Sequence, residues 1–320
     1  MITPSDYLTA EEISRLRARS QWRSVWMIAH VWGVVFAAMA MFAAWPNPVT
    51  FILAVMLIGA RQLGMFILVH DAAHGALFND RALNDRISNW LLAYPLLTET
   101  RAYRAYHLEH HKYTQQPEDP DIGLSAPFPI TRSSFRRKMW RDITGRTGFS
   151  QRRAQIRAAI GAPDMPVRER LALFHRKMGP MLIANLALLG ALGAIGYWYL
   201  YPLLWVLPLM TYYQMITRIR NIAEHAMVPD NDDYFGNART THANWLTRAF
   251  LAVYFVNYHL EHHLLMFIPC YRLPLARKLL LARGLGARME YKPDYRTVLA
   301  LAVSKPETAQ NMNAAGRTAA

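Results

Sequence analysis

Four long segments of this sequence are apolar along their whole length and hold at most one charged residue each: 25–45, 49–69, 181–199 and 203–217. A helix needs about 20 such residues to cross the hydrocarbon core of a bilayer. Only helices and closed barrels satisfy the backbone hydrogen bonds there. The short links Pro46-Asn47-Pro48 and Tyr201-Pro202 leave room only for tight turns. The sequence therefore predicts an all-α integral membrane protein, a single domain over 1–320 with four transmembrane helices in two hairpins.

The distribution of lysine and arginine predicts the orientation of these helices. Both short links lack them, whereas the segments 1–24, 70–180 and 221–320 are rich in them, and the formal net charge is +14. Basic segments stay in the cytoplasm by the positive-inside rule. Both termini and the three basic segments are therefore expected to be cytoplasmic. The positive charge is attributed to lipid headgroups and orientation, and no nucleic-acid partner is predicted.

The polar segments contain several weaker structural signals. Thr9 and Glu12 form a capping-box pattern that predicts a surface helix from Ala10 to about Ser20. Segments 89–97 and 246–256 are apolar but too short to span, so they are expected at the interface or over the catalytic part. Segment 134–157 predicts a basic helix, either against anionic headgroups or merely solvated. The polar tail 304–320 is expected to be disordered.

Nine of the twelve histidines fall into four tight groups that begin or end near the apolar segments. They are His70 and His74; His107, His110 and His111; His225; and His259, His262 and His263. Positions i, i+3 and i+4 share one face of a helix. Each group thus presents its imidazoles together, and Asn221 lies four positions before His225.

The depth of two groups follows from chain length. His70 lies 22 residues after Pro48, and His225 lies 23 residues after Pro202. At the helical rise of 1.5 Å per residue, these stretches are about 33 and 35 Å long, slightly more than the hydrocarbon core of about 30 Å. Both groups are therefore expected at one level, just beyond the cytoplasmic boundary, in a helical cap that holds a metal site.

Ligand chemistry limits what this site binds. Nine imidazoles are too many for one ion and suit two ions with four or five ligands each. The chain has one cysteine, Cys270, so a thiolate cluster is excluded. Imidazole ligation is compatible with iron, copper, zinc or nickel, and the spacing does not choose among them.

The motifs His70-Asp-x-x-His74, His107-x-x-His110-His111 and His259-x-x-His262-His263 resemble the three histidine boxes of membrane fatty acid desaturases, over roughly residues 25–280. The resemblance implies two iron ions bound by all nine grouped histidines, with O2 as co-substrate. His225 is similar to a further ligand in acyl-CoA desaturases, and Asn221 to the residue that holds a metal-bound water. The third box begins with histidine rather than glutamine, unlike front-end desaturases, and we expect no fused cytochrome domain.

The same resemblance implies a desaturase that introduces a double bond into a fatty acyl chain of a lipid or acyl thioester. A separate ferredoxin or cytochrome type of protein would donate electrons, and bacterial relatives would place the chain in the inner membrane. A hydroxylase or ketolase acting on a lipid chain remains open, since the boxes are common to both reactions. A membrane metal-binding or transport protein is the remote alternative, which would place ligands within the spans.

Other polar residues receive two interpretations each. The carboxylates of Asp71, Glu109, Glu224 and Glu261 either accept the second ring N–H of a ligating histidine or are ordinary surface groups. We expect Asp119 and Asp121 to be turn and cap residues. We expect Arg61 and Gln62 to snorkel or to hydrogen-bond another helix, contact with a substrate headgroup being the alternative. The remaining histidines, His30, His175 and His242, are expected to be structural or surface groups.

Overall fold

A computed structural model describes residues 3–307, which are mostly helical. The α-helices are α1 Ala10–Arg17, α2 Gln21–Ala44, α3 Pro48–Ala73, α4 Arg81–Ser88, α5 Thr100–Tyr113, α6 Ile122–Ser125, α7 Arg132–Ile143, α8 Arg146–Ile160, α9 Val167–Ala194, α10 Leu207–Met210, α11 Tyr212–His225, α12 Trp245–Phe250, α13 His259–Leu264, α14 Leu273–Ala282 and α15 Tyr295–Ala302. Two-residue strands β1 Thr240–Thr241 and β2 Tyr291–Lys292 pair in parallel. The helical fold class is thus confirmed.

Single-turn helices fill several connections. Two are π-turns, Asn89–Ala93 and Tyr201–Val206. Five are 3₁₀ turns: Pro4–Asp6, Tyr94–Leu96, Val253–Phe255, Cys270–Arg272 and Leu285–Ala287. The predicted short apolar segment 89–97 therefore forms irregular helical turns, and segment 246–256 forms most of α12 followed by a 3₁₀ turn.

The described chain divides into two compact units. The hairpin unit comprises residues 19–104 and 142–214. The histidine unit comprises residues 3–18, 105–141 and 215–307. Among the described residues, three helices are long and apolar enough to cross a membrane, α2, α3 and α9, and all three lie in the hairpin unit.

These three helices correspond to the first three predicted spans, with shifted ends. Helix α9 begins at Val167 and ends at Ala194, earlier than the predicted 181–199. The fourth predicted span, 203–217, is helical but interrupted. Thr211, at φ −122° and ψ −90°, separates α10 from α11, and its hydroxyl donates to Leu207 O at 2.6 Å. Pro208 has no amide hydrogen, so the helical hydrogen bond back to Leu204 O is also missing from this stretch.

The turn between α2 and α3 forms as the sequence predicts. Asn47 is the N-cap of α3, and its side-chain oxygen accepts from the amides of Val49 and Thr50 at 3.0 and 3.1 Å. Pro48 occupies the first helical position, where its missing N–H is not needed. Asn47 therefore starts α3 at this point, since the first amides of a helix have no partner within it.

Helix α3 packs closely against the interrupted fourth segment. A Cβ atom added at Gly59 would lie 2.8 Å from the ring of Tyr212, so glycine permits the approach. Gln62, fully buried, donates to Trp205 O at 2.8 Å. The expected helix–helix hydrogen bond of Gln62 is thus confirmed. It also pairs the buried side-chain nitrogen of Gln62, which would be costly to bury without an acceptor.

The predicted basic helix 134–157 is wrong as one element, because the chain turns between α7 and α8. Gly145 has φ +78°, a left-handed conformation that glycine adopts without strain. Three residues later, a Cβ atom at Gly148 would lie 2.7 Å from Met210 O. These two glycines bring α8 against the end of α10 within the hairpin unit.

The histidine unit has a charged core. Arg239 is 1% exposed, and it donates to Glu290 at 2.8 Å and to Met227 O at 2.9 Å. At the N-terminus, Thr9 and Glu12 form the predicted capping box of α1, which ends at Arg17 rather than near Ser20. In the tail, Glu307 accepts from Ser133 N at 2.7 Å. The expectation of disorder otherwise falls on 308–320, outside the described residues.

Candidate metal centre

Seven of the nine grouped histidines lie in the histidine unit. Three sequence groups, far apart in the chain, provide them: the end of α5, the end of α11 and the whole of α13. Helical spacing turns the members of each group to one side, as predicted. They are His107, His110, His111, His225, His259, His262 and His263.

These seven side chains form two clusters. In the first, His111 Nε2 lies 3.0 Å from His107 Nε2 and 2.9 Å from His262 Nε2. In the second, His225 Nε2 lies 3.2 Å from His110 Nε2 and 2.8 Å from His259 Nε2. His263 Nε2 lies 3.0 Å from His259 Nε2. The imidazoles thus turn the same ring atom inward.

The second ring nitrogen of two members is fixed from outside the cluster. His110 Nδ1 lies 2.8 Å from Asp119 Oδ1, and both side chains are buried. His225 Nδ1 lies 3.2 Å from Asn237 O. Carboxylate and carbonyl oxygens only accept, so each Nδ1 carries the hydrogen and each Nε2 presents a lone pair.

Two lone pairs therefore face each other across the 3.2 Å between His110 and His225. Burial lowers the pKa of His225 well below its ordinary value, and nearby His110 lowers it further. Burial likewise lowers the pKa of His263. These rings are neutral at physiological pH, and neutral imidazole is the form that binds metals. A cation between the facing nitrogens removes the repulsion.

The nitrogen spacings also test the geometry of such a cation. With a metal–nitrogen bond of about 2.1 Å, ligands at right angles lie about 3.0 Å apart, and tetrahedral ligands about 3.4 Å. The five Nε2 separations range from 2.8 to 3.2 Å. The Nε2 atoms within each cluster are therefore close enough together to bind one ion.

Further side chains support the clusters from behind. Glu224, buried, has Oε1 2.6 Å from Arg220 Nε and 3.5 Å from His259 Nδ1. Burial raises the pKa of Glu224 to about 7, against the opposing effect of Arg220. Thr114 donates to His110 O at 2.9 Å. Of these contacts, only that of Glu224 reaches a ligand ring, at His259 Nδ1.

The sequence predicts that the other candidate carboxylates either accept a hydrogen bond from a ligating histidine or are surface groups. Glu261 is fully buried but bonds Thr240 and, at 2.8 Å, Arg277; burial raises its pKa. Glu109 is exposed and is an ordinary surface carboxylate. In the hairpin unit, Asp71 is buried with Oδ1 3.8 Å from His70 Nδ1.

Asp119 is a supporting residue that sequence reasoning missed. It fulfils the predicted turn role, because it accepts from the amides of Gln115 and Asp121 at 2.9 and 2.8 Å. It also orients His110. A buried aspartate nine residues after a ligand has no periodic signature, and the backbone carbonyl of Asn237 has none at all.

The remaining predicted ligands are placed as follows. His70 and His74 lie in the hairpin unit at the end of α3, both buried, with ring centroids 5.0 Å apart. Asn221 is partly buried on α11, one turn before His225. Their roles as ligands stay predictions. His175 and His242 are exposed, as expected for surface groups.

Comparison with known proteins agrees with the histidine motifs. The sequence profile of the family described as fatty acid desaturase matches residues 46–294. The chain is 31% identical to the dihydrorhizobitoxine desaturase of Bradyrhizobium elkanii, over 71% of this chain and 66% of that protein, just under two thirds of its length.

Two further relatives differ in the reaction that their names give. A β-carotene ketolase of Paracoccus sp. (strain PC1) is 26% identical over 68% of this chain and 75% of its own length. The sn-1 oleoyl-lipid 12-desaturase of Anabaena variabilis is 23% identical over 68% of this chain and 65% of its own length. Both desaturation and ketone formation thus occur among these relatives.

Proposed function

The chain belongs to the fatty acid desaturase family, and from this membership we propose that it is an O2-dependent di-iron membrane enzyme that introduces a double bond into an acyl chain. The inward-facing Nε2 atoms of seven buried or partly buried histidines carry the proposal. Such a set of lone pairs is costly without a cation.

All nine grouped histidines bind the two irons in this proposal. His107, His111 and His262 bind one ion, and His110, His225, His259 and His263 bind the other. His70 and His74 are the remaining two ligands, because they match the first histidine box of membrane fatty acid desaturases. Asn221 holds a water at the second ion, because it lies one helical turn before His225.

When bound, the irons supply the activation of O2 that hydrogen removal from an unactivated methylene requires. Two hydrogens leave neighbouring carbons, and with two electrons and two protons from outside, O2 becomes two waters. The chain's own residues hold the site in place for this reaction. Asp119 and Asn237 O fix the tautomers of His110 and His225, so that both rings keep their lone pairs directed inward.

The partners and topology follow from the same assignment. The substrate is a membrane lipid or acyl thioester, and a separate ferredoxin or cytochrome provides the electrons. The basic surface, with a formal net charge of +14, favours an acidic donor. We propose that α2, α3, α9 and the interrupted segment 203–217 form two membrane hairpins with both termini in the cytoplasm.

Oxygen insertion is the second candidate reaction, and the Paracoccus relative favours it. The same histidine clusters would bind the irons in both reactions. The position of the substrate carbon relative to the irons then decides which product forms. Desaturation removes two hydrogens, whereas hydroxylation adds one oxygen and ketone formation exchanges two hydrogens for one oxygen.

Expression in a host of defined lipid composition tests the proposal. Mass spectrometry should find a product that lacks two hydrogens, and His110→Ala should abolish it while the protein stays in the membrane. The purified protein should contain two irons per chain. A product with added oxygen would favour the ketolase alternative, and active protein without iron would contradict the di-iron assignment.

A further inference from the structure

A cavity of about 430 Å³ lies within the histidine unit and reaches both histidine clusters. Among its lining residues are His111 of the first cluster and His263 of the second. These two are partly exposed, whereas the other five grouped histidines of the unit are buried. The cavity volume is in the range that holds small organic ligands. A bound molecule would therefore lie directly beside the ligating imidazoles.

The N-terminal arm, residues 3–17, forms one wall of this cavity through Tyr7, Ile13 and Arg17, among others. The arm lies outside the stretch 46–294 that the family profile matches. The lining also includes Leu264–Ile268, the segment that follows the last histidine box. Residues outside the matched stretch thus line the cavity together with residues inside it.

Specific contacts hold the arm in place. The Tyr7 hydroxyl donates to Leu264 O at 3.2 Å, and its ring meets the edge of Phe235 at a centroid distance of 5.8 Å. Glu12 forms an ion pair with Arg283 at 2.8 Å, and Leu16 is fully buried. The arm is therefore a fixed wall of the cavity.

The lining has the chemistry of an amphiphile site. Leucine, isoleucine, methionine and phenylalanine account for eight of its eighteen lining residues, such as Leu108 and Phe267. Arg17 and Lys112 contribute two cations, and no carboxylate is among the described lining residues. Apolar walls favour a hydrocarbon chain, and two cations in a lining that contributes no carboxylate favour an anionic group.

We propose that this cavity binds the anionic amphiphilic substrate, with Arg17 and Lys112 receiving its anionic group and Ile13 on the arm limiting the space for its hydrocarbon chain. The inference rests on the proposed function and deepens it, because it favours a charged acyl substrate over a neutral lipid. The N-terminal arm is then a specificity element.

Binding of a fluorescent fatty acid, cis-parinaric acid, to the full chain in phosphatidylcholine nanodiscs tests the charge assignment. The double variant Arg17→Gln/Lys112→Gln should weaken binding of the acid by about tenfold or more. Its effect on the methyl ester should stay below about twofold, since the ester has no charge. Arg15→Gln is the matched control, exposed on the same helix and outside the cavity lining. Equal losses in the double variant and the control would overturn the assignment.

Ile13→Trp tests the space that the arm leaves, because the indole fills part of the cavity. It should weaken acid and ester alike, whereas Ser14→Trp, on an exposed neighbour, should not. Thermal unfolding identifies a variant that fails to fold, and Ile13→Ala then gives the opposite test by admitting a bulkier chain. Unchanged binding in both Ile13 variants would refute the role of the arm.

This assay separates the inference from the proposed function, because binding requires no turnover. Binding as expected without any oxidised product would contradict the desaturase assignment and leave the cavity assignment intact. A desaturated product, together with binding that does not depend on Arg17, Lys112 and Ile13, would contradict the cavity assignment and leave the desaturase assignment intact.

Discussion

Replacing Asp119 by asparagine tests whether orientation of a ligand ring controls metal binding. Asp119 accepts three hydrogen bonds, from His110 Nδ1 at 2.8 Å and from the amides of Gln115 and Asp121. Asparagine has the same shape but only one accepting oxygen. Because His110 and Asp121 share Oδ1 and Gln115 alone uses Oδ2, the asparagine oxygen stays at Oδ1 and the Gln115 amide faces an N–H. His110 then loses the negative charge of its acceptor, and the turn that holds this acceptor in place loses a hydrogen bond.

Loss of such an outer partner costs about tenfold to a hundredfold in metal affinity, or about 1.4 to 2.8 kcal/mol. We expect Asp119→Asn to release iron at correspondingly lower chelator concentration, measured by elemental analysis after graded chelation. The matched control is Asp121→Asn, because Asp121 Oδ2 lies 3.8 Å from His110 Nδ1, too far for a hydrogen bond. Iron retention by Asp119→Asn equal to that of the unmodified protein would refute the reasoning. So would an equal loss in the control.

Three further predictions concern packing, a buried ion pair and the metal. Gly148→Ala should lower the free energy of unfolding by about 1 to 3 kcal/mol, because its Cβ would meet the backbone of Met210; Gly123→Ala, with open space around it, should change thermal unfolding little. Arg277→Met should destabilise by about 3 to 5 kcal/mol because it leaves the carboxylate of Glu261 buried without its cation. Addition of Glu261→Gln should restore part of that loss in the same denaturation assay, and no restoration would contradict the ion-pair account. Removal of metal by a chelator should lower the unfolding temperature and abolish product, and Fe²⁺ should restore both, whereas recovery of activity with Zn²⁺ would contradict an iron enzyme.

Local sequence determined much of the secondary structure. The apolar runs, Asn47 with Pro48, and the Thr9–Glu12 capping box placed the first two spans and α1, because the signals act within one helical turn. The interruption at Thr211 and the turn at Gly145 were not predicted as such. The apolar run around Pro208 and the basic run around Gly145 each show helical spacing. That spacing is the same whether the chain forms one continuous helix or two helices separated by a break.

The sequence by itself determined which histidines group on one face, because helical spacing is a property of neighbouring residues. Only the tertiary structure decided that His110, His225 and His259 turn Nε2 toward one another and that Asp119 and Asn237 fix two of the rings. Contacts across many residues of chain depend on how α5, α11 and α13 pack. The cavity behind His111 and His263 likewise became visible only when the N-terminal arm was placed against the segment that follows the last histidines.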